Sequence, residues 1–217
     1  MMLFMADPVK RQYRSPARTA AAAATRARIR KAAQELFVRQ GFVSTTMRQV
    51  ATAAGVAERT LYGAYPSKAA LFGHALGVVT VGDEQPVRVA DRPEIAAARE
   101  AADPRTAIAL LVAYSADLLD RAGELIMVSV EAAGADPDMR AAADAGARAT
   151  HQVMLAFTEA LHGRGALRSD LDPIAAADIL TVLCSPHVHQ IFRRHRGWSS
   201  ERYRVWVEQA AARDLLG

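Results

Sequence analysis

The chain has 217 residues, 51% of them apolar and 23% charged, with Cys184 as its only cysteine. That length can bury a large core unaided, and a lone cysteine closes no internal disulfide, which excludes a disulfide-stapled secreted scaffold. Charge is unevenly spread: residues 1–80 carry 12 Lys or Arg against Asp7, Glu35 and Glu58, whereas residues 81–217 carry 15 against 20 acids. A basic segment of this kind attracts polyanions by counterion release, so nucleic acid is the first expected partner and an anionic membrane surface the second.

Nothing approaches the roughly 18 uninterrupted apolar residues of a membrane-spanning helix. The short apolar start, Met1 to Met5, precedes its basic residues, the reverse of a secretory signal. The expectation is a cytoplasmic protein without a membrane partner, with Met5 a second candidate start.

Residues 1–24 are basic, contain Pro8 and Pro16 and lack apolar periodicity; they are predicted to be a flexible arm. From Thr25 the apolar positions Ile29, Ala33, Leu36 and Phe37 recur at helical spacing until Gly41, with Arg26, Arg28, Arg30 and Lys31 on or beside the other face. Ser44, Thr45 and Thr46 offer capping hydroxyls to a short helix carrying Met47, Val50, Ala51 and Ala54, which Gly55 ends. A third helix is expected over Ala57 to Tyr65. After Pro66-Ser67, a fourth carries Leu71, Phe72, Ala75 and Val79. Four helices thus fill residues 25–80, with a three-helix, helix-turn-helix unit as their kernel.

Gly82 to Pro93 is read as a domain boundary, and residues 81–217 as a second, helical domain. Asp103-Pro104 opens a helix carrying Ile108, Leu111, Val112, Leu118 and Leu119, and Glu124 to Ala133 is expected as a separate shorter one. Asp136-Pro137 opens a long helix to His162, Asp172-Pro173 another, and Ser199 caps the last. No segment alternates with period two, so the fold class is all α.

Two short helices about a glycine turn inside a basic segment form a helix-turn-helix, whose second helix must be small on its outer face to reach base edges. That face presents Ala57, Glu58, Arg59, Thr60, Gly63 and Ala64, with Leu61 inward. Here the sequence resembles the TetR-like (TetR/AcrR) family of transcriptional regulators. The resemblance rests on Gly41-Phe42, the run Thr45 to Ala51, Ala54-Gly55-Val56, Thr60-Leu61-Tyr62, Tyr65-Pro66-Ser67-Lys68 and Leu71; beyond residue 75 only the helical layout and Arg-Gly-Trp-Ser at 196–199 agree.

The resemblance implies a homodimeric repressor of a palindromic double-stranded DNA operator, released by a small-molecule effector that shifts the fourth helix. It implies that Thr46, Tyr62 and Lys68 contact phosphate while the start of the third helix reads bases. The expected DNA-facing set is Thr25, Arg28, Thr45, Thr46, Arg48, Ala57, Glu58, Arg59, Thr60, Tyr62 and Lys68. Arg59, Ala64 and Tyr65 depart from the family's usual small residue, Tyr or His, and Phe. Arg59 suits a guanine, and Glu58 is either a helix N-terminal charge or an acceptor from cytosine.

For the second domain, Tyr114, Met127, His151, Met154 and Phe157 either line an apolar effector cavity or pack an ordinary core. The subunit contact is expected over residues 172–215, on Ile174, Val182, Tyr203, Trp206 and Val207. Catalytic readings fare worse: Ser185-Pro186 lacks a nucleophile's glycine frame, and Cys184 sits among apolar neighbours. His187 and His189, two apart on a helix, point away from each other, so no metal site and no cofactor are expected. The rival readings are an all-α enzyme and a helical interaction protein, each carrying an accessory helix-turn-helix.

Overall fold

The computed structural model describes residues 16–82 and 87–217, with side chains from Thr19 onward. It consists of α1 (Pro16–Ser44), α2 (Met47–Ala54), α3 (Glu58–Ala64), α4 (Lys68–Val81), α5 (Pro93–Glu100), α6 (Pro104–Ala132), α7 (Pro137–Gly163), α8 (Pro173–Leu183), α9 (Pro186–Gln190) and α10 (Ser200–Leu215). A wider π-wound turn, Ile191–His195, follows α9. Among the described residues the only extended pairing is an isolated bridge between Leu167 and Leu216. The fold is all α, as the sequence predicts.

Most helices begin where a short polar side chain can accept from the first free amides. Asp103, Asp136 and Asp172 each cap a helix whose first residue is a proline, so the residue lacking an N–H stands where none is needed. Ser67, Ser185 and Ser199 cap α4, α9 and α10.

Three boundaries differ from expectation. Helix α1 starts at Pro16, nine residues before Thr25, so residues 16–24 are helical and not an arm; residues 1–15 lie outside the described residues. Ala20 to Ala24 are the best helix formers, and they extend the helix by propensity without any buried stripe for periodicity to reveal. Its winding is interrupted at Gly41, which adopts φ 78°. Helix α5 has no counterpart among the expected elements; it is eight residues long and buries Ile95 and Ala98, too few positions to make a period visible. The two helices expected over residues 104–133 are one, because Gly123 is buried mid-helix and does not interrupt it.

Two hydrophobic cores result. One joins α1 to α4 and includes Ile29, Phe37, Phe42, Leu61, Leu71 and Phe72. The other joins α5 to α8 and α10 around Ile108, Leu111, Phe157, Leu161, Leu180, Tyr203 and Val207. The single helix α6 serves both. Its first half packs in the second core, while Leu125, Val128 and Ala132, with Met139 of α7, pack in the first.

Candidate nucleic-acid interface

The helix-turn-helix is set up by local hydrogen bonds. Thr46 caps α2 in a reciprocal box: its hydroxyl accepts from the Gln49 amide at 3.2 Å, and the Gln49 side-chain oxygen accepts from the Thr46 amide at 2.8 Å. Gln40 ties this cap to α1 by donating to Ser44 O and Gln49 Oε1. Gly55 then reverses the chain at φ 63°, a conformation that costs other residues strain.

Helix α3 is held to the core by Leu61, with Ala64 packed partly against it. Leu61 is wholly buried, while Glu58, Arg59, Thr60, Tyr62 and Gly63 are exposed and Ala64 is half-buried. Ala57, the N-cap, is exposed and supplies no side-chain bond. The result is a short helix with a small outer face, aimed away from the protein. Arg48 of α2 and Glu58 of α3 pair across the turn at 2.9 Å, so Glu58 stands as a helix N-terminal charge bound to its neighbour. Arg59 projects into solvent beside it, and Tyr62 retains 51% of its surface.

Two of the expected DNA-facing residues are bonded within the chain. Thr45 is wholly buried, and its hydroxyl donates to Gly41 O at 2.8 Å; it fixes the end of α1. The Lys68 ammonium donates to Phe42 O at 2.7 Å, Thr45 O at 2.9 Å and Val43 O at 3.3 Å, and lies 4.2 Å from the Phe42 ring centre. An ammonium has three protons, and here each has a carbonyl. That also explains a lysine in the first turn of α4, where the helix dipole opposes it: the negative partner is the carbonyl end of α1. Burial pulls this ammonium below its ordinary pKa, against the Asp136 carboxylate, which pulls it up. Lys68 therefore ties the first turn of α4 to the end of α1. The same region holds three packed rings, Phe37, Phe42 and Phe72, with centres 5.2–5.7 Å apart.

Thr25 is half-buried, with its hydroxyl donating to Ala21 O, and Arg28 is exposed. The tyrosine at 65 is explained by α4: its hydroxyl lies 2.9 Å from His74 Nδ1, a partner that a phenylalanine could not bond.

The five expected effector residues are not gathered around one space. Tyr114 lines an open cavity of about 530 Å³ between the end of α4, α5 and α6, together with Val81, Leu110, Asp117 and Arg121. Met154 and Phe157 belong to the packed second core. Met127 is buried, and His151 lies 3.6 Å from Asp178 on α8. At the cavity's edge Arg121 reaches from α6 toward Thr80 O, 3.4 Å away at the end of α4. Of the expected subunit-contact positions, Ile174 and Val182 are exposed by 61% and 62%, but Tyr203 and Val207 are buried in the chain's own core, and Trp206 packs on Phe192.

A polar hub beside the second core was invisible in the sequence. Asp120 of α6 accepts from Arg193 Nε at 3.0 Å, lies 2.9 Å from His189 Nε2, and also accepts from the Ser200 hydroxyl. Burial pushes the Asp120 carboxyl up, but the bonds from Ser200, His189 and Arg193 outweigh it and hold the group below its ordinary value. Desolvation holds the His189 ring below its ordinary value, against the upward pull of Asp120. Arg-Gly-Trp-Ser acquires a structural role here: Gly197 turns at φ 65°, Trp198 packs on Phe192, and Ser199 caps α10. Cys184 is buried and its thiol is pushed up to about 12 by desolvation, which keeps it protonated and unreactive.

Comparison with known proteins agrees with this geometry. Residues 29–75 match the family model described as bacterial regulatory proteins, tetR family. NalD of Pseudomonas aeruginosa, the secondary repressor of the MexAB-OprM multidrug efflux pump, is similar in structure with a TM-score of 0.69 and 21% identity, over 91% of this chain and 98% of NalD. A putative transcriptional regulator from Saccharomonospora viridis, solved with choline, gives 0.69 and 21% over 90% and 99% of the two chains. SmeT, solved with triclosan, gives 0.68 and 18% over 89% and 92%. No curated protein matches in sequence. No helix among the described residues is long and apolar enough to cross a membrane.

Proposed function

We propose that this chain, whose residues 29–75 match the family model described as bacterial regulatory proteins, tetR family, is a DNA-binding transcriptional regulator, and more closely a homodimeric, effector-released repressor of a palindromic operator. The observation that carries this reading is α3, anchored chiefly by Leu61 and offering Arg59, Thr60 and Tyr62 to solvent on a small outer face. Such a helix enters a major groove with its first residues at base edges, and Arg59 is suited to the paired acceptors of guanine.

Dimerisation is supported by Ile174 and Val182, two turns apart on α8 and both exposed. Apolar side chains so placed belong to a contact with a second copy, which sets two recognition helices on one face of the duplex. Effector release is supported by the cavity beside Tyr114, whose walls include Val81 at the end of α4 and Arg121 of α6. A ligand there touches the helix that leads to the reading head, and an effector favouring the displaced arrangement lowers affinity for both half-sites together. The choline and triclosan bound by the two neighbours show that their own folds admit small molecules.

The test is selection of duplexes from randomised DNA by the full chain. A palindromic consensus bound by two chains is expected, and equal binding of scrambled DNA at moderate salt contradicts the reading. In sedimentation, Ile174→Asp combined with Val182→Asp is expected to give folded monomer; an unchanged dimer refutes that contact.

A further inference from the structure

Helix α4 is held unevenly. Leu71, Phe72 and Ala75 bury its first half in the core, whereas from Leu76 to Gly82 no residue is buried. The far end forms one wall of the cavity beside Tyr114 and is tethered from α6 by Arg121. The guanidinium reaches Thr80 O at 3.4 Å and lies against Gly82, so close that a methyl group there would meet it at 3.5 Å. A cation in that place faces the free carbonyls that end the helix. A guanidinium has five N–H donors, and among the described residues Thr80 O is the one acceptor that Arg121 reaches.

The other charges lining the cavity are already compensated. Arg92 reaches Val87 O, Glu94 stands in the first turn of α5, where the helix dipole offsets it, and Asp117 lies in the field of Arg204. Val81, Leu110 and Ala113 add apolar wall. We propose that the cavity takes an apolar molecule bearing a carboxylate or like anion, and that Arg121 is the positioning residue that couples its arrival to α4. The anion draws the guanidinium from one long bond at Thr80 O into a shorter, charge-assisted pair, and the loosely packed end of α4 is freed. A cation offers no such exchange, and a neutral acceptor offers a weaker one. The inference deepens the effector-release reading above and rests on it.

The experiment uses the full chain, its Arg121→Met and Arg121→Lys variants, and three probes sharing one apolar body: phenylbutyrate, its neutral amide and phenylbutylamine. Calorimetry reads probe binding, and anisotropy reads affinity for the palindrome selected from randomised DNA. The parent chain is expected to bind phenylbutyrate at least about tenfold more tightly than either other probe, and to lose about fivefold or more in DNA affinity when saturated with it. Arg121→Met is expected to lose the preference among probes. Without any probe it should bind the palindrome more weakly at an unchanged salt slope, because Arg121 neutralises no phosphate. Arg121→Lys keeps the charge and is expected to restore both properties in part. Equal or tighter binding of the amide or the amine overturns the inference, as does the failure of all three probes to bind. So does phenylbutyrate binding that leaves DNA affinity unchanged, or a salt slope that falls in Arg121→Met. If the parent chain does not prefer the selected palindrome to a scrambled duplex, the regulatory reading fails and takes the inference with it; a clear preference combined with any of the other failures sinks the inference alone.

Discussion

The two cores threaded by α6 are stabilised in different ways. Around α1 to α4 the polar ties run mostly to backbone: Thr46 with Gln49, Thr45 to Gly41 O, and Lys68 to three carbonyls. Those bonds fix chain direction and leave the outer face of α3 with few intramolecular partners. Around the second core, backbone ties such as Thr158 to Pro173 O and Tyr203 to Leu183 O are joined by a hub of side chains far apart in sequence, from Asp120 to His189, Arg193 and Ser200, which closes the bundle on itself. A reading head must be rigid where the chain turns and unoccupied where it meets a ligand, whereas a bundle has to hold its helices together over a long perimeter.

The largest expected effect asks whether the cores are independent. Phe37 is wholly buried among aromatic rings, and Phe37→Ala is expected to cost about 3–5 kcal/mol. Both tryptophans, Trp198 and Trp206, pack together beside the second core, so their fluorescence reports only that region. Since Leu125, Val128 and Ala132 tie α6 to the first core, the fluorescence and helix-content midpoints of the variant should fall together. An unmoved fluorescence midpoint would show that the cores unfold separately.

Lys68→Met keeps the stem over Phe42 and removes the three donors. Leaving part-buried carbonyls unbonded is expected to cost about 1–3 kcal/mol and to weaken DNA binding. The salt slope separates the two roles open to this residue: a positioning lysine leaves it unchanged, whereas removal of a lysine that neutralises a phosphate lowers it by about 0.9.

A smaller effect concerns the hub. His189 is held below the ordinary histidine pKa, so the unfolded chain takes up a proton before the folded one does. The stability it contributes is therefore complete above the ordinary value, about 6.5, and is lost as pH falls below it. Denaturant unfolding of the parent chain should show stability dropping between about pH 7.5 and pH 5.5, by at most about 1.4 kcal/mol per pH unit, more steeply than in His189→Leu. Parallel profiles would remove His189 from the account.

Much of the architecture was legible because its signals are local. Asp103-Pro104, Asp136-Pro137 and Asp172-Pro173 announce helix starts within two residues, and Gly55 with Thr46 announces the helix-turn-helix. What escaped is non-local or aperiodic. The exposed alanines of α1 leave no stripe to read. The carbonyl partners of Lys68, more than twenty residues away near the end of α1, could not be read from its place in the first turn of α4. Tyr203 and Val207 have the composition of an interface, but the face they share turns inward, and helical spacing alone does not say toward which neighbour a stripe points.

The most direct test of the central claim, that α3 reads DNA sequence, is the binding of Arg59→Ala to the selected palindrome and to every single-base variant of one half-site. The geometry predicts a loss of about 1–3 kcal/mol on the parent sequence, with discrimination relaxed at one position per half-site and kept at the others. A uniform loss across all sequences, or an intact preference at every position, would contradict the assignment of base reading to this helix.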